Sequence, residues 1–129
     1  MSNESKEVTE VTEVKKDYEI IATKEFTEMS KQRLFNIVIS GQGAVTLDDA
    51  ITNVPFTISG IYINSDNDGE YALFGQGDNI IKTRSGSLIT ALRAFLGMFG
   101  QEYSDTEVKL IRKKAANSEN RYYTLEVCE

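Results

Sequence analysis

The 129-residue chain contains no histidine, one cysteine and one proline. Without histidine, imidazole acid–base catalysis and nucleophilic centres of the Ser-His-Asp or Cys-His kind are excluded. A zinc site loses its usual donors for the same reason. Cys128, alone, can form no internal disulfide and gives no sign of an oxidising compartment. No run approaches eighteen apolar residues, and the polar, acidic start lacks the apolar core of a secretory signal. The phosphate and calcium motifs are incomplete. Gly75-Gln76-Gly77 and Gly41-Gln42-Gly43 have no following GxxG and no Walker lysine. Asp66, Asp68 and Glu70 alternate like calcium ligands, but their flanks read as strands rather than helices. No catalytic residue, cofactor or metal is expected.

What is present describes a folded domain. Hydrophobic residues make up 40% and charged residues 26%, a globular balance at a length that suits one domain. The net charge is −6, which on its face argues against a polyanionic partner. Residues 1–17 are thin in apolar mass and read as a flexible acidic leader. Residues 18–129 form the single domain.

Alternation of apolar residues predicts strands over 18–23, 31–40, 56–64, 70–76, 80–84, 108–114 and 121–127. Glycine- and Asp/Asn-rich turns separate several of them. A helical corner is expected at 47–50. Leu88, Ala91, Leu92, Phe95, Leu96 and Phe99 recur at helical spacing, which predicts one helix over 87–98, capped by Ser85 or Ser87. The order is strands, one helix, then a closing hairpin. It points to an all-β, OB-like, partly open barrel with the helix between the central strands and the C-terminal hairpin.

Cations and aromatic rings interleave along these strands. Lys31, Arg33 and Phe35 fall on one side of the 31–40 segment, and Lys82 and Arg84 share a side of theirs. Arg112 and Arg121 lie at the ends of the last two strands, the latter beside Tyr123. Tyr62, Tyr71 and Phe74 occupy the central hairpin. Rings that stack bases, beside cations that meet phosphates, are what sequence-independent binding of a single strand needs. These eleven residues are the candidate nucleic-acid contacts, with Phe56, Phe95 and Phe99 assigned to the core. Cations lined along one continuous groove would support that role; scattered cations would support a protein–protein role instead.

Several segments carry a resemblance. Phe56-Thr57-Ile58-Ser59-Gly60-Ile61-Tyr62 leads to an acidic turn and Tyr71-Ala72-Leu73-Phe74, then to Ile81-Lys82-Thr83-Arg84-Ser85. The Ser87-initiated helix, Val108-Lys109-Leu110, the Asn117–Asn120 turn and Tyr122-Tyr123-Thr124-Leu125-Glu126-Val127 follow. In this order the chain, over residues 31–129, resembles the small single-stranded DNA-binding proteins of bacteriophages with protein-primed replication. The resemblance implies an OB-like barrel that coats and protects single-stranded DNA during replication, without catalysis or metal, in the cytoplasm of a host cell. It also implies replication proteins as further partners and a monomer or weak homo-oligomer, with no membrane. The sequence ends Glu126-Val127-Cys128-Glu129 without the acidic run that many bacterial relatives carry, so recruitment of partners through such a tail is not expected. The competing expectation is a virion component or a small host-factor inhibitor that binds no nucleic acid.

Overall fold

The computed structural model describes residues 20–114 and 120–129. The leader, the first two residues of the expected opening strand and the loop at 115–119 lie outside the described residues. The elements are β1 (Ile21–Ala22), α1 (Lys24–Thr27), α2 (Lys31–Phe35) running into a π-helical turn (Asn36–Ser40), and β2 (Ala44–Thr46) with a 3-10 turn (Leu47–Asp49). They continue as β3 (Phe56–Asp66), β4 (Gly69–Gln76), β5 (Asn79–Thr83), α3 (Gly86–Phe99), a 3-10 segment (Gly100–Asp105), β6 (Glu107–Lys114) and β7 (Arg121–Val127). Strand is the main element, and the sheet curls into a half-barrel. No helix among the described residues is long and apolar enough to cross a membrane.

The sheet order is β2-β5-β4-β3-β6-β7. Strand β3 organises it. One of its edges pairs with β4; the other is shared by β6, through Phe56↔Val108, and by β1, through Ile21↔Ile63. The β3/β4 register shifts between Ile58 and Ile61. Such a bulge bends a strand and increases its twist, so it helps to curl the sheet. Thr23 engages the bulge from both directions. Its Oγ1 accepts from the Ile61 N–H at 3.0 Å, and its N–H donates to the Ile61 carbonyl at 2.9 Å. Gly60 makes room for α1, since a Cβ there would stand 2.9 Å from Glu25 Cβ and 3.1 Å from the Phe26 ring.

Alternation along the strands sorts the side chains into two clusters. On the concave side Ile61, Ile63, Phe74 and Ile81 pack with Leu88, Leu92 and Phe95 of α3, which sits between β5 and the β6–β7 hairpin as expected. Ser85 caps α3, its Oγ accepting the Leu88 N–H at 3.3 Å. On the outer side Leu73 packs with Phe26 of α1 and with Ile37 of the turn after α2. The buried Gln76 side chain clamps the link from β2 to β3, accepting from Ile51 N–H at 3.0 Å and donating to Ile51 O at 2.8 Å. The hairpin does not close the barrel, because β5 pairs in parallel with β2 rather than with β7.

Two expectations are corrected. Residues 31–40 are helical, not a strand, so α3 is not the only helix. Ser30 starts α2, its Oγ accepting the Arg33 N–H at 3.1 Å. Gly41, at φ 71°, ends the π-helical turn. Residues 34–39, Leu-Phe-Asn-Ile-Val-Ile, are apolar at both the strand and the helix period. Helix places Leu34, Ile37 and Val38 together against the outer sheet face, and that burial outweighs the strand preference of the β-branched residues.

Candidate nucleic-acid interface

The outer face of β3, β4 and β5 carries a row of rings and cations. The register Asn64↔Tyr71, Tyr62↔Leu73 and Leu73↔Lys82 puts Tyr62, Tyr71 and Lys82 on this face. Ring centroids are 5.8 Å apart for Phe26 and Tyr62, and 6.2 Å for Tyr62 and Tyr71; the Arg84 guanidinium stands 5.5 Å from the Tyr71 centroid. Most of this row is engaged internally. Burial, then the neighbouring Tyr62, pushes the Tyr71 phenol up to about 12. Asn64 Nδ2 donates to Tyr62 Oη at 2.9 Å. Lys82 Nζ donates to the Val38 carbonyl in the middle of the π-helical turn. Arg84 holds Asp66 through two bonds of 2.6 and 3.1 Å and reaches the Gly69 carbonyl at 3.3 Å. The hydrogen bond from Arg84 holds the Asp66 carboxyl below its ordinary value.

An open groove of about 310 Å³ lies where α2 approaches this face, lined by Lys31, Leu34, Phe35, Val38, Ile39, Tyr62 and Tyr71. Lys31, Phe35 and Tyr62 therefore meet, although for a different reason than alternation suggests. In a helix residues four apart share a side. The same geometry turns Arg33 away, onto a separate concavity with Ser30, Gln32 and Gln42. Phe35 is 52% exposed, so its ring is available to a ligand.

Two of the candidate rings are not available. Phe74 is fully buried on the concave side, opposite Ile61 and Ile81. It stands three positions after Tyr71 on β4, and odd spacing puts the two on opposite faces. Tyr71 is on the outer face but only 4% exposed, beneath Tyr62 and Arg84. Both act in packing.

The second group stands on the β6–β7 hairpin. Its last three paired positions are Arg112↔Tyr123, Lys113↔Tyr122 and Lys114↔Arg121. Four cations and two tyrosines fill the six positions of these three adjacent rungs, with no carboxylate among them. Arg112 lies over the Tyr123 ring, 5.8 Å from its centroid. Tyr123 Oη donates to Asp48 Oδ1 at 3.1 Å; burial, then that hydrogen bond, raises its phenol. Arg112, Lys113 and Arg121 are exposed and make no ion pair among the described residues. Lys113 and Tyr122, the more exposed of the two tyrosines, stand in this group without being among the candidates drawn from strand alternation. Alternation shows that the tyrosines face opposite ways but not which is covered. The pairing of Leu110 with Leu125 settles that, since it sets Tyr123 on the core side.

The eleven candidates thus do not line one groove. Lys31, Phe35 and Tyr62 border the outer groove, and Arg112, Arg121 and Tyr123 belong to the hairpin. Lys82 and Arg84 are bonded within the fold, Arg33 stands apart, and Tyr71 and Phe74 are packed away. Among the described residues no three carboxylates or cysteines converge to hold a metal. Comparison with known proteins finds no matching family model, no matching curated protein and no matching solved structure.

Proposed function

We propose that the chain is an OB-like module that binds single-stranded DNA without reading its sequence, with the basic end of the β6–β7 hairpin as its main contact. The single observation that carries this reading is the concentration of Arg112, Lys113, Lys114 and Arg121 with Tyr122 and Tyr123 on three adjacent rungs, in a protein of net charge −6. Cations there meet phosphates and Tyr122 offers a face to a base. The groove at Lys31, Phe35 and Tyr62 extends the surface with an exposed ring and a further cation. The OB-like assignment is supported by the element order. A three-strand meander, β3 to β5, is followed by α3 and then by a hairpin whose first strand returns to pair with β3. Five-stranded barrels of this kind use a strand face and the loops at its ends to hold oligonucleotides.

The test is fluorescence anisotropy with an oligothymidine, a duplex and an RNA of equal length at two salt concentrations. Single strands should bind more tightly than duplex, and binding should weaken as salt rises. Equal affinity for duplex would sink the mechanism. Absence of all oligonucleotide binding would turn the choice to a protein-interaction role, which the spread of the candidate cations over separate places and the exposed Phe35 and Ile39 side chains favour.

A further inference from the structure

Among the described residues strand β7 is an edge of the sheet, and the bonding parity of its hairpin identifies the backbone groups left over. The Cys128 N–H donates to the Glu107 carbonyl at 2.9 Å. With Val127 opposite Val108, alternate rungs are bonded, and the N–H and C=O of Tyr123, Leu125 and Val127 point away from β6. Strand β6 shows the same parity, since Leu110 O faces away from β7 and accepts from the Asn53 N–H at 2.9 Å. Of the outward groups on Tyr123, Leu125 and Val127, the Tyr123 carbonyl accepts from Ser87 Oγ at 2.7 Å. Those of Leu125 and Val127 have no partner among the described residues.

Beside this edge an apolar groove of about 210 Å³ runs between α3 and β7, lined by Ala91, Ala94, Met98, Leu125 and Val127 with the nearby phenylalanines. Met98 is 80% exposed and Val127 38%. Monomeric sheets blunt their edges with charged side chains, proline, a bulge or a covering helix or loop. The stretch Tyr123-Thr124-Leu125-Glu126-Val127 has no lysine or proline and one charge, Glu126, and its register with β6 is unbroken; α3 reaches this edge at Tyr123, through Ser87.

We propose that a second copy of this chain covers the edge, the two β7 strands pairing antiparallel about a two-fold axis at Leu125. A two-fold interface must be complementary to itself, and this register is. Leu125 meets the partner's Leu125, and Tyr123 meets the partner's Val127, whose N–H takes the second lone pair of the Tyr123 carbonyl beside Ser87 Oγ. Arg121 meets the partner's Glu129, an opposite-charge pair at each end of the seam. An axis at Glu126 would set that carboxylate against its own copy. An axis at Thr124 would leave both charge pairs unmade. The side chains of Leu125 and Val127 lie on the groove side, so pairing joins the two apolar grooves across the axis and covers Met98. Arg121 belongs both to this seam and to the proposed nucleic-acid contact, so the pairing is tested without nucleic acid.

Sedimentation of the full chain without nucleic acid, over a range of concentrations, tests it. A reversible monomer–dimer equilibrium is expected. Val127→Pro removes an outward N–H without touching the bonds to β6. Because two copies of the change fall in one seam, the dimer should weaken by about tenfold or more. Arg121→Glu and Glu129→Arg should each weaken it by about threefold or more, and the double variant should recover. A chain that stays monomeric throughout would overturn the proposal. So would a dimer unaffected by Val127→Pro, or charge variants that show no recovery together. Should Val127→Pro fail to fold by circular dichroism, the charge exchange decides alone.

Discussion

Replacing Arg112 and Lys113 together by glutamine separates a phosphate-tracking hairpin from a merely solubilising one. Both side chains are exposed, and neither makes an ion pair among the described residues. Substitution at such surface sites changes stability by about 0.5 kcal/mol or less. The stacking of Arg112 on the Tyr123 ring adds about 0.5–1 kcal/mol to that cost. The variant should therefore stay folded, which a melting curve checks. Its binding should change in a defined way. Each phosphate neutralised on a single strand contributes about 0.7 to the slope of log affinity against log salt. With both cations removed, the slope should flatten by about 1.4. Between about 50 and about 200 mM salt, each neutralised phosphate corresponds to about a 2.6-fold change in affinity, so the two account for about sevenfold. Anisotropy titrations with oligothymidine at four salt concentrations read the slope directly. Parallel lines for parent and variant would refute the reasoning, since cations that touch phosphate cannot be removed without changing the counterions released.

Three further outcomes concern the scaffold. Phe95→Ala, at a ring only 5% exposed beneath the curled sheet, should cost about 3–5 kcal/mol in denaturant unfolding; a loss under about 1 kcal/mol would contradict the packing of α3. Gly60→Ala should cost about 1–3 kcal/mol, because its methyl meets Glu25 and Phe26 of α1, and an unchanged melting temperature would show that α1 yields freely. Burial pushes the Glu25 carboxyl up, but hydrogen bonds from Tyr103 Oη, at 2.6 Å, and from Thr23 outweigh it and hold it below its ordinary 4.5. A carboxyl held low stabilises the fold above its unfolded value, and that contribution is lost as the pH falls from about 4.5 through the folded value. Tyr103→Phe should lower stability at neutral pH by about 1.5 kcal/mol and make the loss on acidification shallower; an acid limb identical to that of the parent would refute the coupling.

Sequence by itself determined the β3–β4–β5 meander, α3 with a serine cap at Ser85 or Ser87, and the β6–β7 hairpin. In each of these the apolar period is unambiguous, and turn residues such as Asp66 to Gly69 mark the ends locally. It also determined which residues are cationic and which aromatic, and hence the kind of ligand worth testing. The segment at 31–40 was beyond it, since Leu34 to Ile39 satisfy both periods and the deciding partner, Leu73, is distant in the chain. The face of each ring was likewise a tertiary matter. Phe74 and Tyr71 take opposite sides of β4 by spacing, but only the packing of α3 on one side and α1 and α2 on the other decides that neither is open to a base. The same packing decides that Lys82 and Arg84 are bonded within the fold, while Arg112, Lys113 and Tyr122 extend past the core and face solvent. A strand's alternation records which side chains point together; which of those two faces is covered depends on elements that arrive from elsewhere in the chain, and a local pattern cannot encode them.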